Sequence, residues 1–359
     1  MCFTKVVYVR QTFNNFTSIF MPMKNLLKVS LLVTLLASMF YCTNDHIDDP
    51  TPVTYSSVQA FFEANRAPSQ TFTFDASVGG TFTTPQGTIV SIPANAFLTT
   101  YGAEVAGNVT VLFKDVYKKS DMVFNQLSTN MYMGGPIKSA GMFYLKASQA
   151  TQPLVIKRGN KITIKQPLNG LPIDTGMRAL VAVNILSDTN NFATSNSASG
   201  WTTPPVDTSG GNPPRGFPPI NSSAFLNFDA SNYVFSLYQM SSPVSSGAWY
   251  NSDNPNFFSR YTQTKLTLVP QATYQNYPIS MFLVFSDVNA MVSVNRYSTN
   301  FYYQYAPLGQ RCTAVAVSAK DGKLFASFTP ITIGIDMTVN FSLAETTADE
   351  FKAKLNGLN

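Results

Sequence analysis

Residues 79–97 read GGTFTTPQGTIVSIPANAF, and this stretch decides the fold class. Gly79 and Gly80 are typical of a tight turn, and Gly87 marks a second turn. The segments after these turns are rich in threonine, valine and isoleucine, most clearly at residues 88–92. β-Branched residues between glycine turns favour strands. The stretch therefore predicts two short strands of an antiparallel sheet.

Short apolar runs separated by turn signals continue along the chain after this stretch. Aromatic residues make up 13% of the sequence and charged residues only 12%, a composition that favours sheet over helix. Further strands are predicted at residues 70–75, 107–113, 141–147, 154–157, 161–165, 177–186, 233–239, 262–269, 279–285, 290–294, 313–319, 323–329 and 337–343. We therefore expect an all-β fold with two antiparallel β-sandwich-like domains.

Local signals mark two short helices and one hairpin. Residues 56–59, SSVQ, have the spacing of a capping box and predict an N-terminal helix that ends near residue 65. Residues 347–350, TADE, predict a short C-terminal helix in the same way. The dipeptide Asp321-Gly322 is a strong hairpin signal, because a type I′ turn needs positive φ at both central residues.

Composition and turn signals divide the chain into segments. They are a signal peptide at 1–41, a flexible tether at 42–55, an N-terminal β-sandwich domain at 56–167, a Pro/Gly-containing junction at 168–176 and a C-terminal β-rich domain at 177–359. Residues 187–223 are rich in serine, asparagine, threonine, proline and glycine, and such a composition cannot form a core. We interpret them as a long polar loop within the C-terminal domain.

The region before Cys42 has the order of a secretory signal. A short cationic segment at residues 24–28 precedes an uncharged apolar run at 29–41, which is too short for a comfortable membrane span. The residues before this region fit no signal pattern, so we expect the true start at Met21 or Met23.

Cys42 ends the apolar run and resembles the lipobox cysteine of bacterial lipoproteins. Asp45, Asp48 and Asp49 follow it in a polar tether and resemble the surface-export signal of Bacteroides-type lipoproteins. We therefore expect an exported lipoprotein in the outer membrane of a Gram-negative bacterium, at the cell surface and held to the membrane by its lipid. Residues 39–41 are bulkier than a lipobox usually allows, so the alternatives are an uncleaved signal anchor and a signal cut elsewhere.

Charge argues against nucleic acid as a partner. Four of the 24 Lys and Arg residues precede Cys42, which leaves 20 basic against 19 acidic residues and no basic stripe. His46 and the acids near it could bind a metal, but a solvated flexible tether binds metal poorly. Cys312 lies in an apolar run and is predicted to be a buried small hydrophobe. The sequence thus predicts no metal and no cofactor.

Residues 79–97 resemble the opening of the β-sandwich module found in ankyrins, netrin receptors and zonula occludens scaffold proteins. Residues 139–145 and 247–253 resemble segments of Bacteroidota envelope lipoproteins. The resemblance to the module covers residues 70–167 at most, and it implies a sandwich fold and a binding or scaffolding role. Some members of that family cut themselves at a His-Ser pair, and this activity does not carry over because no histidine follows His46.

Missing residue types exclude several enzyme classes. The single histidine lies on the tether, so Ser-His-Asp and Cys-His catalysis have no base and a histidine-based zinc site has no ligands. A glycan hydrolase with a carboxylate pair stays open as the alternative, since it needs only two acids. Its candidates are Asp115, Asp121, Asp229, Asp253 and Asp287. The preferred prediction is a non-enzymatic envelope protein that acts in binding or assembly, with a glycan or an envelope protein as its partner.

The predicted ligand-binding residues combine aromatic rings with amide and carboxylate groups. They are Trp249, Tyr250, Asn251, Asp253 and Trp201. Ring faces can pack on the C–H surface of a sugar or peptide, while the polar groups donate and accept hydrogen bonds. The alternative is that both tryptophans pack between the two domains or fix the long loop. Residues 251–256 could also place oxygens around Ca²⁺, but they lack a full ligand series.

Overall fold

The structure is a computed structural model that describes residues 53–183, 200–204, 224–238 and 247–359. The predicted signal peptide, Cys42, most of the tether and most of the polar loop lie outside the described residues. Residues Val53–Asn359 form one compact unit. No helix within the described ranges is long and apolar enough to span a bilayer.

Strands dominate the described chain, which confirms the all-β prediction. Helices α1, α2 and α3 span Val58–Asn65, Lys119–Phe124 and Ala348–Asn356. Strands β1 to β22 span Gln70–Asp75, Gly80–Thr83, Ile89–Ile92, Phe97–Thr99, Asn108–Val116, Lys138–Gln149, Gln152–Ile156, Ile162–Pro167, Arg178–Val183, Gly200–Thr202, Ala224–Phe228, Asn232–Leu237, Ala248–Asn254, Gln263–Pro270, Ile279–Phe285, Met291–Ser293, Asn295–Tyr297, Asn300–Pro307, Arg311–Lys320, Lys323–Thr332, Met337–Phe341 and Ala344–Thr346.

The strands form four sheets that pair into two sandwiches. The first sandwich has an eight-stranded sheet, in the order β1-β5-β6-β13-β9-β10 with β7 and β4 attached through β6, and a five-stranded sheet in the order β11-β12-β8-β3-β2. The second sandwich has a four-stranded sheet in the order β17-β18-β14-β21 and a five-stranded sheet in the order β16-β15-β19-β20-β22. Each sandwich encloses its own apolar core.

The boundary between the sandwiches differs from the one expected at residues 168–176. Strand β13 pairs with β6 and β9, and β12 pairs with β8, so residues 178–254 complete the first sandwich. The Pro/Gly-containing junction is a connection between the two sheets of one sandwich. The chain enters the second sandwich after the 3-10 turn at Phe257–Arg260. Proline and glycine mark a turn equally well within a domain and between domains.

A third apolar core fills the space between the sandwiches. Helices α1, α2 and α3 pack there against the outer face of the eight-stranded sheet and the outer face of β15 and β19. Phe61, Phe62 and Phe351 are fully buried in this layer. The ring of Phe62 meets that of Phe282 on β15 at 5.9 Å, and the ring of Phe61 meets that of Phe351 on α3 at 5.3 Å.

Backbone hydrogen bonds also join the sandwiches. The amide of Thr129, in the segment before β6, donates to the carbonyl of Met291 on β16 at 2.6 Å. In return the Met291 amide donates to Oγ1 of Thr129 at 2.9 Å. The amide of Ser139 donates to the carbonyl of Asn289 at 2.9 Å. The exposed edge that β16 would otherwise present is thereby paired with the first sandwich.

All three elements predicted from local signals are present. Asp321 and Gly322 have φ of 53° and 78°, as a type I′ turn requires, and they join β19 to β20. Thr347 forms a complete capping box at the start of α3. The helix predicted to end near residue 65 is α1, but the expected capping box at Ser56 is wrong, because Ser57 caps α1 by accepting a bond from the Ala60 amide.

Candidate functional site

The two tryptophans lie in the core between the sandwiches, so the prediction that they present ring faces to a ligand is wrong. Trp249 is 1% exposed and Trp201 is fully buried. The Trp249 ring packs on Tyr144 with centroids 5.6 Å apart. The indole N–H of Trp201 donates to the carbonyl of Ser128 at 2.7 Å. A buried indole that finds a partner for its N–H is a packing element, which is the alternative left open for these rings.

Tyr250 points to the opposite side of β13, as the alternation of a strand requires. It is fully buried in the core of the first sandwich, where its ring stacks on Phe143 at 5.3 Å. Trp249 and Tyr250 therefore serve different cores and cannot contribute to one binding surface.

Asn251 and Asp253 belong to a buried polar cluster with Ser139 of β6. The pairing of β13 with β6 shifts register between Asn251 and Asp253, and this bulge accommodates the cluster. Ser139 Oγ donates to Asn251 Oδ1 at 2.9 Å, and the Asn251 side-chain amide donates to Asp253 Oδ2. Asp253 Oδ1 is buried and has no hydrogen-bond partner. Burial raises the pKa of Asp253 well above its usual range.

Asp115 lies at the other side of the same sheet, inside the first sandwich. The hydroxyls of Thr84 and Thr88 both donate to its Oδ2 at 2.6 Å, and the Gln86 side-chain amide donates to its Oδ1 at 3.1 Å. Because the Thr88 proton is used on Asp115, the hydroxyl of Tyr117 donates to Thr88 Oγ1, at 2.6 Å. Burial raises the pKa of Tyr117 above its usual range. These hydrogen bonds fix the carboxylate as a structural acceptor.

Gly141 makes this network sterically feasible, and sequence reasoning missed its role. Its φ is +131°, and a Cβ atom there would lie 2.3 Å from Cδ1 of Tyr117. The backbone carbonyl of Gly141 also accepts a bond from the Gln166 side chain at 3.2 Å. Gly141 stands in the stretch 139–145 that the sequence analysis quoted. Its contact with Tyr117 could not be predicted, because Tyr117 lies on a different segment of the chain.

The remaining acids take part in local contacts. Asp229, in the turn between β11 and β12, pairs with Lys165 at 3.4 Å, and its pKa is lowered mainly by the Ser231 amide. Asp287, after β15, pairs with Arg311 at 2.6 Å, and the bond with that guanidinium lowers its pKa. Asp121 lies on α2, where burial raises its pKa. The two exposed acids therefore lie in different sandwiches.

Metal-binding groups are also scattered. The described ranges contain no group of three histidine, cysteine, aspartate or glutamate side chains that could hold a metal. The side-chain amide of Asn254, within the residues 251–256 considered for Ca²⁺, donates to Asp174 at 3.2 Å. Cys312 is buried as predicted, and burial raises the pKa of its thiol to about 12.

An open sheet face on the second sandwich gathers aromatic and polar side chains that the sequence analysis did not single out. The face consists of the outward residues of β17, β18, β14 and β21, namely Asn295, Tyr297, Asn300, Tyr302, Lys265, Thr267, Val269, Thr338 and Asn340. We call it the tyrosine face. Its signal was the alternation within residues 300–307, where Phe301 and Tyr303 are buried and Tyr302 between them is not.

The tyrosine face has a continuous row across its four strands. Tyr302 is the register partner of Asn295 on one side and of Thr267 on the other, and Thr267 is in turn paired with Thr338. Tyr297 is 76% exposed, and its ring centroid lies 6.2 Å from that of Tyr302. The face thus presents two neighbouring rings with hydrogen-bonding groups beside them.

Comparisons with protein-family models, with curated proteins and with solved structures found no match to this chain.

Proposed function

We propose that this chain is a non-enzymatic lipoprotein of the cell envelope that acts in binding or assembly. One observation carries the proposal: the space between the sandwiches is a closed core. Small-molecule and catalytic sites occur preferentially in clefts between domains. Here that space is filled by three helices and by the fully buried rings of Phe61, Phe62 and Phe351. Such a body suits the rigid presentation of a surface rather than closure over a substrate.

The placement of the acids supports this proposal over the glycan hydrolase. A glycosidase needs two carboxyl groups that face one another across a sugar, separated by roughly 5–9.5 Å. Asp115 and Asp253 are buried on opposite faces of the eight-stranded sheet, the first held by threonine hydroxyls and the second by the side-chain amide of Asn251. Asp229 and Asp287 are exposed but lie in different sandwiches and are paired with cations.

The start of the described chain indicates how a lipid anchor would hold the body. Tyr55 makes a β-bridge with Gly322, so the chain enters at the hairpin that joins β19 to β20. Cys42 lies only thirteen residues earlier. A fully extended segment of that length spans at most about 45 Å, so a lipid on Cys42 would keep this hairpin close to the membrane.

Two measurements test the proposal. The first is fractionation of cells that carry wild type or Cys42→Ala; the variant is expected to leave the membrane fraction, and full retention would contradict the lipid anchor. The second is release of reducing ends from a broad panel of polysaccharides by the purified protein. We expect no release. Release that Asp115→Asn or Asp253→Asn abolishes, in variants that remain folded, would establish the hydrolase instead.

A further inference from the structure

We propose that the tyrosine face binds a neutral polysaccharide chain. This inference deepens the proposed binding role and rests on it. The second sandwich is asymmetric: the outer face of β15 and β19 is covered by the helical layer, whereas that layer contains no residue of β14 or β18. Every residue of the tyrosine face is half-buried or exposed.

The chemistry of the tyrosine face matches sugar rings. Tyr297 and Tyr302 offer apolar ring faces that lose little conformational entropy on binding. Asn295, Asn300 and Asn340 surround them with amide groups that donate and accept hydrogen bonds, as sugar hydroxyls require. The backbone groups of the inner strands β14 and β18 are already paired within the sheet, so recognition there must use side chains.

Charge excludes a highly charged partner. Lys265 is the one charged member of the tyrosine face, and its Nζ lies 5.5 Å from the Tyr302 ring centroid. Asp336 immediately precedes Met337, the register partner of Leu266, so an acid lies at the border next to Lys265. The face and its border together carry no net charge. Nucleic acids and acidic polysaccharides are bound through several cations, and this surface does not supply them.

Area favours a glycan over a protein partner. Four strands about 4.8 Å apart, each about five residues long with every second residue on the face, cover roughly 300 Å². A stable protein interface usually buries about 800 Å² on each partner. The tyrosine face is therefore too small for a standard protein interface, but it can accommodate a few sugar rings of a longer chain.

The proposal is tested by affinity electrophoresis of the full-length protein in mild detergent. Native gels contain soluble starch, dextran, xyloglucan, galactomannan or arabinogalactan as neutral polysaccharides, and alginate or heparin as acidic ones. We expect at least one neutral polysaccharide to retard the protein, and added salt to leave the retardation unchanged. The double variant Tyr297→Ala, Tyr302→Ala should migrate as if no polysaccharide were present.

Tyr101→Ala is the matched control. Tyr101 is 94% exposed in the first sandwich, so its loss removes an exposed ring without touching the tyrosine face. The control should be retarded as strongly as wild type. The unfolding temperatures of all variants should lie within a few degrees of the wild-type value. Three results would overturn the proposal: no retardation by any neutral polysaccharide, equal retardation of the double variant, or retardation only by acidic polysaccharides that salt abolishes. Shortening of the polysaccharide would instead contradict the non-enzymatic role.

Discussion

Gly141 and Tyr117 lie so close that no other residue fits at position 141: a Cβ there would be 2.3 Å from Cδ1 and 2.5 Å from Cε1 of the ring. The contact holds the tyrosine hydroxyl against Thr88, which in turn donates to Asp115. One glycine on β6 therefore permits the buried polar network of the first sandwich.

Gly141→Ala is expected to destabilise the protein strongly, because the methyl group overlaps the Tyr117 ring and the backbone has positive φ. We expect a loss of about 2–5 kcal/mol in the free energy of unfolding, measured by urea denaturation. Gly159→Ala is the control: Gly159 has φ of +92° but nothing within 4 Å of the added atom. It should lose only about 1 kcal/mol. Equal losses at the two positions would refute the steric account.

Asp253 is expected to make stability fall as pH rises. Burial raises its folded-state pKa above the unfolded value, so the folded protein holds the proton longer. The stability that the protonated Asp253 contributes is fully present below the pKa of this residue in the unfolded chain. It is lost as pH rises through the pKa of Asp253 in the folded protein. Asp253→Asn should remove this loss, and its unfolding free energy should vary less than that of wild type between about pH 4 and pH 9.

Asp287→Asn provides the control of opposite sign. The bond with Arg311 lowers the pKa of Asp287, so its contribution is present above the unfolded pKa and is lost as pH falls. This substitution should change stability at neutral pH and leave the loss of stability with rising pH intact. A wild-type protein whose stability does not decline as pH rises above the pKa of an unfolded aspartate would show that Asp253 is not held in its neutral form.

The Asp321-Gly322 turn is expected to tolerate only residues that accept positive φ. Gly322→Val forces a β-branched residue into φ of 78° and should cost on the order of 1–3 kcal/mol. The denaturation midpoint measures the effect. Asp321→Gly, at the neighbouring position with φ of 53°, should leave the midpoint nearly unchanged. An unaltered midpoint for the valine variant would show that position 322 does not need a residue with positive φ.

Trp249 is expected to act as a core residue. Trp249→Ala should lower the free energy of unfolding by roughly 3–5 kcal/mol, because a fully buried ring is replaced by a cavity. Thermal and chemical denaturation both report the loss. Tyr101→Ala, at an exposed position, should change stability by less than about 0.5 kcal/mol. A folded Trp249→Ala protein as stable as wild type would place this ring at the surface.

Local signals in the sequence predicted local structure well. The strand alternation, the capping box at Thr347 and the Asp321-Gly322 hairpin depend on a few neighbouring residues, and the structure contains all three. These features follow from backbone geometry that nearby side chains impose.

Long-range contacts explain what the sequence did not predict. The domain boundary predicted at residues 168–176 differs from the observed one because the pairing of β13 with β6 joins residues about a hundred positions apart. Trp249 was misplaced for the same reason: whether a ring beside amides faces solvent depends on what packs over it, here helices from both ends of the described chain. The tyrosine face likewise arises only when β17, β18, β14 and β21 come together.

The central claim is that the two sandwiches and the helical layer between them form one body with a closed interior. Differential scanning calorimetry of the full-length protein tests it most directly. Because the third core and the Thr129–Met291 bonds join the sandwiches, we expect one transition whose calorimetric enthalpy equals its van't Hoff enthalpy. Two separable transitions, with a calorimetric enthalpy well above the van't Hoff value, would contradict the claim.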